Sequence, residues 1–216
     1  MEHAFGLNIP RTLDEVCDPR HLALLVYDMQ VGVVSQLPDG AEITRRVAAV
    51  LRTARDTGIR TFFTRHMWLP LEVAGVAQLR TALAWQRVDY VADLTPGLQR
   101  DSPGFQIVPE LAPRPSEAVF DKITMSAFEG TPLNIALRDC GIVAFAIVGV
   151  ALEIGIEPTV RHATDLGYIP VVVTDACGSR DQAAAARSLA TLTFAGGSLQ
   201  TDSATLTAAL GRSRDA

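Results

Sequence analysis

The groups in this sequence best suited to chemistry are an aspartate, a lysine and a glycine-flanked turn, each placed at the end of an apolar run. Asp28 ends residues 21–27 (HLALLVY), Arg65 and His66 end residues 60–64 (RTFFT), and Lys122 follows residues 118–121 (AVFD). The turn from Gly149 to Gly155 (GVALEIG) follows residues 142–148 (IVAFAIV), and Asp175 follows residues 169–174 (IPVVVT). A carboxylate and an ammonium brought together can move protons to and from a reacting group. A buried lysine needs a carboxylate partner, and Asp28 is the candidate. Backbone N–H groups where a turn enters a helix lack acceptors and favour developing negative charge, so the 149–155 turn is a candidate oxyanion site. Each group also has a plain structural reading. Asp28 can be a strand-end acceptor, Lys122 a surface lysine, and the two glycines a means of packing strand against helix.

Positioning these groups requires a sheet whose strand ends converge. The apolar runs have strand length and alternate with helical patterns. Helices are expected over 41–57, where Ile43, Val47, Val50 and Leu51 recur at helical spacing and Gly58 closes the element, and over 131–139, with Thr131 as N-cap. Others are expected over 156–166, 181–193 and 201–210, with strands over 21–27, 60–64, 118–121, 142–148 and 169–174. Continuous apolar strands alternating with helices imply an α/β fold, a three-layer α-β-α sandwich with a central, mostly parallel sheet. In such a sheet ligands bind beyond the carboxyl ends of the strands. Residues 67–115 form a long connection with several prolines and a helix near 76–88; a segment of this kind usually carries function, here as a lid. The terminal GRSRDA is expected to be mobile.

Composition narrows the function classes. The chain has 216 residues, 48% apolar and 20% charged, enough for one sizeable core and short for two domains, so a single domain over 1–216 is expected. Twenty-four acids against nineteen bases give a net charge of −5, which makes nucleic acid an improbable partner. Cys17, Cys140 and Cys177 are odd in number and widely spaced, so no disulfide framework or structural zinc site is expected. No basic start followed by an apolar run opens the chain, and no apolar stretch is long enough to span a bilayer. A cytoplasmic protein acting on or binding a small molecule, without cofactor or membrane, is the expectation.

The segments LLVYDMQVG (24–32), FDKITMSAF (120–128), VGVALEIGIEPTVRHA (148–163) and VVVTDA (171–176) resemble, in order and spacing, the isochorismatase-like hydrolase superfamily. That superfamily includes isochorismatases, nicotinamidases, carbamoylsarcosine amidases and ureide or biuret amidases. The resemblance implies an aspartate–lysine–cysteine catalytic set, in which Asp28 matches the aspartate and Lys122 the lysine. The cysteine position, six residues after Gly149, is Gly155. A glycine cannot form the acyl-enzyme of an amidase. Isochorismatases are similar to this chain in carrying glycine there, and they hydrolyse a vinyl ether without covalent catalysis. The resemblance also implies a homodimer or homotetramer.

The expected site therefore has Asp28, Lys122 and Gly155 as its catalytic set and Ala151, Glu153, Arg65, His66 and Phe128 around the substrate. Glu153 is either a cap-type acceptor or a group facing the pocket. His66 stands where metal-binding nicotinamidases place ligands, but a lone histidine supports no zinc site, so no metal is expected. Arg65 or His66 can orient an anionic group, and Trp68, Phe105 and Phe128 are either pocket wall or core. Two functions compete. One is a hydrolase acting without a cysteine nucleophile on a vinyl ether such as isochorismate, or on an amide. The other is a non-catalytic small-molecule-binding or interaction protein that kept the pocket.

Overall fold

The computed structural model describes residues 1–214. A short antiparallel hairpin, β1 (Glu2–Ala4) and β2 (Leu7–Ile9), turns at Phe5 and Gly6, both at positive φ. After α1 (Leu13–Val16) comes β3 (Leu22–Tyr27), then α2 (Val31–Val34), α3 (Gly40–Asp56) and β4 (Arg60–His66). The long connection contains α4 (Val76–Gln86) and several single turns before β5 (Ala118–Lys122). The second half alternates α5 (Leu133–Asp139), β6 (Ala144–Val150), α6 (Glu157–Asp165), β7 (Ile169–Gly178), α7 (Gln182–Ala195), β8 (Leu199–Thr201) and α8 (Ser203–Arg214).

β3 to β8 form one six-stranded sheet in the order β5-β4-β3-β6-β7-β8, with every pair parallel. The α/β fold inferred from the alternating runs is thus present. The chain starts in the middle at β3, builds outward to β5, then returns to lay β6 on the other side of β3. The order reverses between β3 and β6, which is where a doubly wound sheet opens a crevice at its carboxyl edge.

Alternation along β3 divides the core into two layers. Leu22, Leu24 and Val26 pack with Ile43, Val47 and Val50 of α3 and Leu206 and Leu210 of α8. Ala23, Leu25 and Tyr27 pack on the opposite face with Leu133 of α5, Val160 of α6 and Leu192 of α7. Asp181 caps α7 by accepting from the Ala184 N–H at 2.9 Å.

Several elements differ from the sequence reading. Thr131 was expected to cap α5, but that helix begins at Leu133; the Thr131 hydroxyl accepts from the Leu133 N–H and donates to the Ala127 carbonyl, and so closes the preceding turn. β7 runs four residues further than the apolar run, through Asp175 to Gly178. The last helix runs from Ser203 through Arg214, four residues past the expected end at 210; the final two residues of the GRSRDA tail lie outside the described residues. The hairpin and β8 had no expectation at all, being three-residue strands too short for a period. Among the described residues no helix is long and apolar enough to cross a membrane.

Gly149 lies where β6 crowds β3. Its φ is +126°, and a β-carbon there would run into the main chain of Tyr27, its register partner. The pairing of β6 with β7 also shifts between Ile147 and Gly149, which re-aims the chain entering the turn. Gly149→Ala is expected to destabilise the protein by at least about 3 kcal/mol, because it adds both a forbidden dihedral and a backbone clash; urea unfolding of the variant beside the parent checks this.

Candidate active site

Asp28 and Lys122 meet at the centre of the sheet's carboxyl edge. The Lys122 Nζ donates to Asp28 Oδ2 at 2.7 Å, and neither residue is more than 5% exposed. The second carboxylate oxygen, Oδ1, accepts from the Thr64 hydroxyl at 2.7 Å, and the Asp28 N–H donates to the Thr64 carbonyl at 3.2 Å. Asp28 holds a left-handed backbone, φ +48°, which aspartate tolerates better than most residues. That conformation breaks the strand alternation straight after Tyr27. Lys122 is fixed by three contacts: Asp28, the Thr124 carbonyl at 3.0 Å, and the Tyr27 ring, whose centroid lies 4.3 Å from Nζ. Burial pushes the Lys122 ammonium below its usual pKa, and the Asp28 charge opposes that shift.

Gln30 locks the crevice from below. Fully buried, its side chain donates to the carbonyls of His66 and Phe105 and accepts from the His66 N–H. It thereby ties the loop after β3 to the end of β4 and to the long connection. The connection returns the tie, since the Val31 N–H donates to the Gln106 carbonyl and the Val108 N–H to the Met29 carbonyl.

The turn after β6 is wide, with the N–H groups of Gly155 and Ile156 both donating to the Ala151 carbonyl. The Gly155 N–H is therefore satisfied inside the turn, which corrects the expectation that it lines an oxyanion site. The groups of such a turn left without an internal acceptor are those of its first residues, from Leu152 onward. Gly155 itself is buried with an ordinary backbone φ, and a β-carbon on it would lie 2.5 Å from Cε1 and Cζ of Tyr27. Glu153 follows Ala151 and Leu152 in the turn, half-buried, with one carboxylate oxygen enclosed and without a hydrogen-bond partner; the cap-type reading is not supported by any bond to that oxygen.

The other expected pocket residues divide. His66 is the register partner of Lys122 and borders a hollow of about 430 Å³ beneath α4, together with Trp68, Gln78, Trp85, Thr124 and Met125. A second hollow, of about 540 Å³, lies between β2 and β8, away from these groups. Arg65 is a correction. It is the partner of Asp121, which precedes Lys122 and so points to the other face of the sheet; Arg65 binds Asp121 at 2.7 Å and covers the Phe105 ring at 4.3 Å. Phe128 is also a correction, packed in the core against Phe145, Tyr168 and the His162 ring. Tyr27, Thr64 and Gln30 are site residues that sequence reasoning missed. Thr64 carried a signal, a polar residue closing an apolar strand, and so did Tyr27, a phenol directly before the aspartate. Among the described residues no group of three or more His, Cys, Asp or Glu side chains is placed to hold a metal ion.

Two measurements follow from this geometry. Lys122→Met leaves the Asp28 carboxylate buried without its counter-ion, so urea unfolding is expected to show a loss of about 3–5 kcal/mol. Burial holds the His66 imidazole below its usual pKa, with Lys122 adding to the shift and Asp28 opposing it. The folded protein therefore resists the proton that the unfolded chain accepts near pH 6.5. Stability is full above that pH and is lost as pH falls toward the depressed folded value, by at most about 1.4 kcal/mol per pH unit. Unfolding midpoints at pH 7.5 and 5.5 should show a smaller difference in His66→Gln than in the parent.

Comparison with known proteins agrees with this architecture. Ureidoacrylate amidohydrolase RutB of Enterobacter sp. (strain 638) is 30% identical over 173 residues, which cover 73% of this chain and 75% of that protein. The enzyme of the same name from Pantoea ananatis is 28% identical over 176 residues, 73% of this chain and 69% of the relative. An isochorismatase family protein from Burkholderia thailandensis superposes with a TM-score of 0.72 at 27% identity, covering 89% of this chain and 96% of its own. A cysteine hydrolase from Pseudomonas syringae pv. phaseolicola shares the fold, with a TM-score of 0.78 at 20% identity over 91% of this chain and 95% of its own. Residues 22–204, from the first strand of the sheet to the start of the last helix, match the isochorismatase domain, and the chain belongs to that family of hydrolases.

Proposed function

We propose that this protein hydrolyses a small metabolite by acid–base catalysis through Asp28 and Lys122, without a covalent intermediate. The observation that carries the reading is the buried Lys122–Asp28 pair at the switch point, beside a turn whose nucleophile position is a glycine. Asp28 keeps lone pairs on both oxygens beyond those used by Lys122 and Thr64. As a carboxylate it takes the proton of a water attacking the substrate and returns it to the leaving group. Lys122 holds Asp28 in place and supplies positive charge beside the developing anion. The first N–H groups of the turn after Ala151 are the further donors.

The hollow under α4 supports a choice of substrate class. It lies next to the pair, with His66 and Thr124 common to both surroundings, and its polar lining is two indoles, one amide and two threonines, with His66 as its one titratable side chain. With His66 neutral near pH 7, that lining suits a small uncharged group, an amide or ureide, better than a second carboxylate. The amidohydrolase relatives point the same way. The second reading, a binding protein without turnover, draws on the near-complete burial of Asp28 and Lys122.

A panel of amides, ureides and isochorismate tested on purified protein separates the two. The expected result is turnover of at least one compound that survives pretreatment with iodoacetamide and falls by about 10²–10⁴-fold in Asp28→Asn. Turnover that persists in Asp28→Asn overturns the assignment, and binding with no turnover across the panel establishes the second reading.

A further inference from the structure

Tyr27 is a buried phenol that the acid–base reading leaves without a task. It closes β3, a strand otherwise built of Leu, Ala and Val, and is 1% exposed. Its hydroxyl donates to the Met125 carbonyl, its ring lies under the Lys122 ammonium, and its oxygen stands beside the Asp28 carboxylate and the Thr159 hydroxyl. Gly155 faces the same ring. Its backbone is in an ordinary conformation, so no dihedral requires glycine there, and ordering a glycine costs more backbone entropy than ordering an alanine. What position 155 lacks is room. A β-carbon would meet Tyr27 Cε1 and Cζ at 2.5 Å, well inside contact distance, and the ring cannot easily swing aside because Lys122, Met125 and the core around Leu25 and Ile156 enclose it.

We propose that Tyr27 and Gly155 form a matched pair that sets the reaction class of this site. The phenol takes the volume in which a side chain at 155 would stand, and its hydroxyl, anchored on Met125, braces Asp28 and Lys122 as a proton-transfer pair. Tyr27 is thus a positioning residue. It bars a nucleophile from the turn, and Gly155 is the residue that the ring's presence demands. The catalytic meaning of the pair rests on the acid–base reading, but the pairing itself is open to a test that needs no turnover.

The test installs a thiol at the disputed position with and without the ring. Gly155→Cys, Tyr27→Val and the double variant are prepared with the full chain. Stability is read from urea midpoints, and the introduced thiol's reactivity from its rate of iodoacetamide alkylation, measured peptide by peptide so that Cys17, Cys140 and Cys177 are scored separately. In the double variant the thiol stands free beside the Lys122 ammonium, which favours the thiolate. It is expected to be alkylated at pH 7 at least about tenfold faster than Cys140. Gly155→Cys alone is expected to be markedly destabilised, and the change at 155 to be tolerated far better once residue 27 is Val. Gly155→Ala, the smallest such change, is carried in parallel and is expected to lower the parent's midpoint. The proposal is overturned by parent-like stability in Gly155→Cys or Gly155→Ala. It is equally overturned if the double variant fails to fold while Tyr27→Val folds, or if its thiol reacts no faster than Cys140. A protein that proves inactive on every substrate, yet gives the fast thiol in the double variant, loses the acid–base reading and keeps the matched pair.

Discussion

A lysine ammonium taken out of water must be paired or must give up its proton, and this constraint organises the carboxyl edge of the sheet. Lys122 is sealed under the loop that follows β5, where desolvation alone costs several kcal/mol. Its three fixed partners are a carboxylate and a ring face from the adjacent Asp28 and Tyr27 at the end of β3, and a carbonyl from the loop after β5. The carboxylate is in turn gripped by a hydroxyl from β4. The pair therefore acts as a clasp between β3, β4 and β5, and the register of those strands has to be correct for it to form. Replacing such a pair by apolar residues often stabilises a protein. Its retention at a crevice agrees with a use in proton transfer better than with a contribution to stability.

The crevice exists because of chain order. β3 is the first strand of the sheet in the chain, and its neighbours on the two sides both follow it in sequence, β4 next and β6 much later. The loops leaving β3 and β6 consequently diverge and expose the last residues of both strands. Gln30 fills the floor of this gap with a side chain whose polar atoms all bond to backbone, so the loop after Asp28 cannot drift from the end of β4. The long connection reaches the same place. Residues 106–108 pair with the loop after β3, and α4 roofs the hollow beside His66. A segment that contributes both floor and roof is part of the site's frame, and its exposed stretches include parts of α4 and of residues 87–101.

Much of this was legible in the residues. The five longer apolar runs became sheet strands because continuous Val, Ile and Leu can be buried only in a sheet covered on both faces. Asp28 and Lys122 stood out as charges at the ends of such runs. What the sequence concealed depends on direction and on depth. Arg65 and His66 are adjacent, yet a one-residue step in a strand sends one to Asp121 and Phe105 and the other to the hollow. Phe128 sits beside the conspicuous lysine segment, but a loop's aromatic can turn inward or outward, and this one turns to Phe145 and Tyr168. The fate of the Gly155 N–H was hidden because a wide turn consumes donors that an ordinary helix start would leave free.

Tyr27 was the least visible, because strand periodicity assigns it to the core and the core is where its ring lies. Its significance comes from length. A Val or Ile there would end short of the turn, whereas a phenol extends across to Gly155 and to Met125. On the proposed reading, a site with a nucleophile and one without differ in volume as much as in one thiol. A large side chain on β3 and a bare α-carbon after β6 are two halves of a single packing solution. Each makes the other tolerable, since the ring would collide with any side chain at 155, and without the ring the glycine would leave a void beside a buried charge, which costs dispersion contacts and admits water. The site's chemistry is thus constrained by the same close packing that holds its strands together.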